Sequence, residues 1–350
     1  MMKVERVVVI GGGLIGCSIA WRLAQRGLQV TVVEKDQPAS KASWAAAGML
    51  LPIMEEGSPL APLTDASFQA YPAFVEELRE LTGIDAELQL EGPGKGSVDN
   101  RRLGRAAYDA ARQAGAIFRL RVEARKVVTS ADRFQRVALS NGAALEADAV
   151  VIAAGAWSGE LLGLPFKLPV VPVRGQMLAV EHEPPLADHI IKGEKCYLVP
   201  RGRRLLIGAT VEHVGFDDRT TEAGITGLRA AAQELLPAVA AARVVETWAG
   251  LRPGTPDDLP ILGADPRVHG VFYATGHFRN GILLAPVTAQ VISELIVVGT
   301  TSFDLEPFSV ARFLVPIDDP RCDLCGAPML EWHCRIICPA CGYQRDCSDP

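Results

Sequence analysis

Val7-Val8-Val9-Ile10 is an unbroken β-branched run, the pattern of a strand buried on both faces. Leu14–Arg26 then carries apolar residues at helical spacing and stops at Gly27, a C-terminal glycine. Gln29–Val33 predicts a second buried strand, closed by Glu34, and helical periods return at Asp65–Leu81 and Arg102–Ala114. From Ile117 onward the pattern is strand-rich. Arg133–Leu139 and Ala144–Val151 flank Asn141-Gly142, a hairpin signal because both turn residues tolerate positive φ. Further strands are expected at Gly175–Val180, Cys196–Val199, Leu205–Ala209 and Val244–Ala249, with a helix at Glu222–Leu236 between the last two. No internal repeat or low-complexity tract is evident.

The longest apolar run, Ile282–Val298, contains Gln290, Ser293 and Glu294, so it predicts a buried helix rather than a membrane span. No signal peptide precedes the first strand, and the chain reads as cytoplasmic. Its 350 residues suffice for one large or two medium domains. With 49% apolar and 22% charged residues it has a globular balance. The net charge of −6 argues against nucleic acid as a partner, since phosphates require a basic surface.

Gly11-Gly12-Gly13-Leu14-Ile15-Gly16 places G-x-G-x-x-G between a strand and a helix. Gly11 permits the tight turn, Gly13 admits a pyrophosphate close to the backbone, and Gly16 lets the helix pack on the strand. The helix N-terminus then offers N–H groups and partial positive charge to phosphates. Glu34 is placed for an adenosine ribose, which fits NAD or FAD and disfavours a 2′-phosphate. A second buried strand, Val150–Ala153, ends at Gly155 and Trp157; returning to the nucleotide sheet so late favours FAD, the alternative being an ordinary core strand.

Ser43-Trp44-Ala45-Ala46-Ala47-Gly48-Met49-Leu50 resembles the flavin-contacting loop of the D-amino-acid oxidase family, in its glycine oxidase branch. Cys196-Tyr197-Leu198-Val199-Pro200-Arg201, Leu206-Ile207-Gly208-Ala209-Thr210, Trp248–Thr255 and Gly276–Pro286 are similar to further segments of that branch, and together the resemblance covers residues 3–313. It implies an α/β fold: a Rossmann-like, two-dinucleotide-binding FAD domain (residues 1–60, 98–165 and 255–315) and an α+β substrate domain with a mostly antiparallel sheet (61–97 and 166–254).

The resemblance implies non-covalent FAD held by Gly11, Gly13, Leu14, Ile15, Gly16, Glu34, Lys35, Ser43, Ala47, Gly48, Met49, Val122, Gly155, Trp157, His277, Arg279, Asn280, Gly281, Ile282 and Leu283. A helix starting near Gly281 would direct its N-terminus at the flavin pyrimidine edge. Met49 reads equally as a core filler, and Cys17 as inert core. For substrate, the resemblance implies a small zwitterionic amino acid. Arg252 would take its carboxylate bidentately, Tyr197 would add a hydrogen bond, and Arg279 would lie beside it. Structural ion pairs are the alternative for the arginines, and a core position is the alternative for the tyrosine. The implied reaction oxidises glycine or a small amine to an imine, which hydrolyses to a keto acid and ammonium, while O₂ becomes H₂O₂. Thiamine-precursor synthesis is its expected setting. D-amino-acid or sarcosine oxidation, a different electron acceptor, and a catalytically reduced FAD scaffold are the alternatives.

Two features depart from that pattern. Only a dozen residues lie between Asp85 and Val98, where family members carry several tens more, so the pocket wall is expected to be open or rebuilt by a mobile Glu91–Ser97 loop or a partner. Lys195 stands where family glycine oxidases tend to have a histidine.

A linker with Pro316, Asp318, Asp319 and Pro320 leads to a tail over residues 321–350. There Cys322-x-x-Cys325 and Cys338-x-x-Cys341, each followed by glycine (Gly326, Gly342), have zinc-ribbon spacing. A closed four-thiolate Zn²⁺ site would be structural and would supply the folding energy that about thirty residues lack. Cys334, Cys347 and His333 are surplus or exchange ligands. The tail leaves open a homo-oligomer or a protein partner docked through the ribbon.

Overall fold

The computed structural model describes residues 4–52, 57–313, 321–322, 324–332 and 335–346. Arg6–Ile10 (β1) and Gln29–Glu34 (β2) pair in parallel, with the helix Leu14–Gln25 (α1) between them in sequence. Ile117–Leu120 (β6), Ala149–Ile152 (β10) and Val271–Thr275 (β17) extend the parallel sheet, and Ile261–Ala264 (β16) closes one edge antiparallel, in the order β16-β17-β10-β1-β2-β6. Alternation in β1 accounts for the unbroken apolar run. Val7 and Val9 face a helical core with Leu14, Trp21 and Leu103, whereas Val8 and Ile10 face a second core with Val127, Phe134 and Val137.

The helical layer contains α1, Ala61–Thr82 (α3), Asn100–Gln113 (α4) and Ala285–Val297 (α6). Residues 61–97 are expected in the substrate domain, and Leu63, Phe68, Tyr71 and Leu78 of α3 are buried in the same core as Val7, Trp21 and Leu103. The opposite layer is the small sheet Ala124–Ser130 (β7), Arg133–Leu139 (β8) and Ala144–Glu146 (β9). The Asn141-Gly142 hairpin forms, but its second strand stops at Glu146 rather than running to Val151. Asp148 redirects the chain: its carboxylate accepts from the Glu5 and Arg6 N–H groups at 2.9 and 2.8 Å, and β10 then joins β1.

A second sheet orders Ile191–Lys192 (β12), Tyr197–Arg201 (β13), Arg204–Gly208 (β14), Val171–Glu181 (β11) and Arg243–Gly254 (β15), all antiparallel. β11 and β15 are longer than expected, so Arg252 lies inside its strand. One face packs on Glu222–Leu235 (α5) through Leu178, Leu198 and Ile207. The other packs Met177, Val199 and Trp248 on the short helix Ala42–Ala45 (α2), where Trp248 Nε1 donates to the Ala45 carbonyl at 2.9 Å.

The expected mobile Glu91–Ser97 loop is a tied hairpin. Gln89–Leu90 (β4) and Gly96–Ser97 (β5) form a small sheet with Met49–Leu50 (β3). Glu91 accepts from the Ile190 N–H at 2.9 Å, Lys95 donates to the Ile190 carbonyl at 2.9 Å, and the two side chains pair at 2.9 Å. In the tail, Leu330–Trp332 (β18), Arg335–Ile337 (β19) and Gln344–Asp346 (β20) form an antiparallel sheet. The 316–320 linker, Cys334, Cys347 and His333 lie outside the described residues.

Candidate active site

The glycine turn closes tightly on the neighbouring strand. Gly11 has φ 104°, and a Cβ there would strike the Ala153 carbonyl. A Cβ at Gly16 would strike the Gly11 carbonyl, so this glycine serves packing and does not line the cleft. Gly13 brings no capping side chain to α1; the Leu14 N–H donates to Ser43 Oγ at 2.9 Å, and the rest of the first turn is left for a ligand. Glu34 is buried, and burial raises its pKa. Its two oxygens accept from Gly12 N–H at 2.7 Å and Asp36 N–H at 2.8 Å, which fixes the carboxylate at the end of β2. Lys35 Nζ sits 3.2 Å from the centroid of the Trp157 ring, which stacks on Phe216 at 5.5 Å, and burial lowers the lysine's pKa.

From this turn one continuous cavity of about 620 Å³ reaches the antiparallel sheet. Its wall includes Gly11, Gly13, Leu14, Ile15, Glu34, Lys35, Ser43, Ala47, Gly48, Met49, Gly155, Trp157, His277, Arg279, Gly281 and Ile282, and at the far end Tyr197 and Arg252. Four expected cofactor residues lie off the wall. Gly16 packs helix on strand, Leu283 is buried in the helical core, Val122 packs on the second core, and Asn280 closes a turn on the His277 carbonyl at 2.8 Å. The helix expected near Gly281 begins at Ala285, so Gly281 and Ile282 reach the cavity from the preceding turn. Gly175, Met177, Thr210 and Gly250 line the cavity as well and are not among the residues expected from the sequence. The two-residue period supplied a signal: Gly175 and Met177 share a face of β11, as do Gly250 and Arg252 on β15.

At the far end, Arg252 Nη1 donates to the Thr210 carbonyl at 3.0 Å. Burial lowers the pKa of Arg252 and raises that of Tyr197, and each opposes the other's shift through the attraction of guanidinium for phenolate. Arg279, exposed, lies over the Phe278 ring at 4.9 Å. Among the described residues no carboxylate forms an ion pair with Arg252 or Arg279. Arg174 is the structural arginine of this region: it is buried and pairs with Glu212 and with Asp217 at 3.3 Å. His277 lies 3.1 Å from Thr288 Oγ1, and burial pushes its pKa down to about 3, so it is neutral at physiological pH.

This donor set fits FAD. The open helix end suits a pyrophosphate and the fixed Glu34 a ribose, and the single cavity is long enough to join both to the Tyr197–Arg252 end. In the tail, one sulfur from each of Cys322, Cys325, Cys338 and Cys341 lies within 4.8 Å of the others, a spacing that can hold a metal ion.

A family model described as FAD dependent oxidoreductase matches residues 6–92 and 89–295, and the chain belongs to that family. Within the family it resembles proteins that oxidise amino acids. It is 35% identical to a glycine oxidase of Pseudomonas aeruginosa, over 88% of this chain and 99% of that one. It is 36% identical to the bifunctional protein ThiO/ThiG of Synechocystis, across 100% of this chain and 60% of that longer protein. The crystal structure of glycine oxidase from Geobacillus kaustophilus superposes with a TM-score of 0.83 at 35% identity, covering 88% of this chain and 99% of that one.

Proposed function

We propose that the protein is an FAD-dependent oxidase of glycine or a similarly small amino acid, working in the cytoplasm in thiamine-precursor synthesis. The observation that carries this reading is the Tyr197–Arg252 pair, which ends the FAD-sized cavity with a hydroxyl and a half-buried guanidinium that forms no ion pair with a carboxylate among the described residues. The glycine oxidase and ThiO/ThiG relatives support the same substrate class and setting.

Arg252 would hold the substrate carboxylate bidentately, while Nη1 also donates to the Thr210 carbonyl at 3.0 Å and the Arg174 carbonyl at 3.4 Å, which fixes the fork. Tyr197 would donate its hydroxyl to the same carboxylate. The positive field of Arg252 and Arg279 favours loss of a proton from the substrate ammonium, preparing the neutral amine that oxidation needs. Bound FAD would supply the redox chemistry, as acceptor for the hydride from the substrate Cα with O₂ as the final oxidant. Positioning and electrostatics carry the rest of the catalysis, so no Ser/His/Asp set or carboxylate pair is required.

The tail reads as a structural site for one Zn²⁺ on Cys322, Cys325, Cys338 and Cys341. Four thiolates leave no open coordination position, which makes the ribbon a folding element and a surface for a partner or a second copy of the chain. Purified, FAD-loaded protein is assayed for peroxide with glycine, sarcosine and D-alanine. Peroxide with at least one supports the reading, and its absence with all three rejects it.

A further inference from the structure

The substrate end of the cavity carries a third cation, and its position follows from strand register. Lys192 pairs directly with Tyr197 across β12 and β13, and Ile191 pairs with Leu198. Directly paired residues in an antiparallel ladder project from the same face. Ile191 and Leu198 pack on the α5 side. Lys192 therefore shares with Tyr197 the face that turns to the cavity, and both residues line it.

Its neighbours on the rim are Lys195, which pairs with Glu234 at 2.8 Å, and Glu194 in the intervening turn. Among the described residues no carboxylate forms an ion pair with Lys192. The small hairpin that replaces a longer segment is tied to Ile190 through Glu91 and Lys95, immediately before β12. Glu91 and Lys95 neutralise each other there. Arg252 and Tyr197 suffice for one α-carboxylate, so Lys192 is positive charge beyond what glycine uses.

We infer that Lys192 forms a subsite for a second anionic group, so that the preferred substrates are small amino acids bearing an acidic substituent on nitrogen or on Cα. This rests on the amino acid oxidase reading above. The Tyr197–Arg252 end takes the α-carboxylate, and Lys192 takes the second acid at the rim, where it remains hydrated.

The test uses the FAD-loaded full-length protein. Turnover is measured with glycine, N-ethylglycine, N-(carboxymethyl)glycine and D-aspartate, and binding is measured by the flavin absorbance change with two non-oxidisable acids, (methylthio)acetate and thiodiglycolate. Lys192→Met should lower kcat/KM for the acidic substrates about fivefold, chiefly through KM, and weaken thiodiglycolate by a similar factor, the scale of a rim charge pair. Glycine and (methylthio)acetate should be unaffected, and Lys192→Arg should restore the preference. Glu194→Gln should strengthen it. The two acidic substrates separate an N-linked from a Cα-linked acid. Equal effects on glycine and the acidic substrates, or wild-type indifference to the second acid, would overturn the inference while leaving the oxidase reading intact. No turnover of any substrate together with no binding of either acid would overturn both.

Discussion

Gly175 lies against the guanidinium of Arg252: a Cβ built on this glycine would fall among the Arg252 Cζ and Nη atoms. Gly175 pairs with Gly250 across β11 and β15, and Arg252 is two residues further along the same face of β15. Gly175 thus makes room for the cation, while the missing side chain of Gly250 makes room for Ala45 of α2. Gly175→Ala should displace Arg252 and lower kcat/KM on glycine by about 10²-fold, close to the effect of Arg252→Ala, because both remove a desolvated charge-assisted pair. The flavin spectrum should be unchanged in both variants. An active Gly175→Ala enzyme would mean that the carboxylate is held elsewhere, with Arg279 the next candidate.

Glu34 should govern cofactor affinity and not turnover. With its oxygens held by the Gly12 and Asp36 N–H groups, Glu34→Ala removes a fixed ribose acceptor and should weaken FAD by about 10-fold or more, on the scale of a charged hydrogen bond. Titration of apoprotein with FAD measures it. Saturating FAD should restore most of the rate on glycine; failure to do so would assign Glu34 a role beyond the ribose.

The nucleotide half of the site was legible because its signals are local. The strand, three glycines, helix and terminal acid fall within one short stretch, and each has its own steric reason. The break after Glu146 was not legible, since Ala144–Val151 is a plausible single strand until Asp148 finds the Glu5 and Arg6 N–H groups at the far end of the sequence. The same holds for Gly175, whose reason is a guanidinium on another strand, and for Glu91 and Lys95, whose partner is the Ile190 backbone. Long-range partners decide these positions; the two-residue period can put Gly175 on a strand face but cannot name the guanidinium it meets.

Burial of His277 links stability to pH. Its folded-state pKa of about 3 lies below the ordinary histidine value of 6.5, so the unfolded chain binds the proton first as pH falls. Stability is therefore lost progressively from about pH 6.5 downward toward pH 3, by on the order of 4 kcal/mol for complete protonation of the unfolded chain. His277→Gln, which can still hydrogen-bond to Thr288, should flatten this part of the Tm–pH curve. An unchanged slope would assign the acid sensitivity to other groups.

The tail should bind one equivalent of zinc, and Cys325→Ser or Cys338→Ser should lose it, because each supplies one of four converging sulfurs. Metal analysis of the full chain and of a version ending at Arg312 checks this. Every residue proposed for FAD or substrate precedes Phe313, so the shorter protein should keep its flavin and its rate on glycine. A folded, FAD-loaded but inactive shorter protein would show that the ribbon completes the pocket.

The central claim is that the cavity between the glycine turn and Arg252 brings a small amino acid to the flavin. Anaerobic mixing of FAD-loaded protein with glycine, sarcosine or D-alanine tests it most directly. The account predicts that at least one of the three bleaches the flavin absorbance, that colour returns when O₂ is admitted, and that peroxide appears in equal amount. Bound FAD that keeps its full absorbance with all three would contradict it.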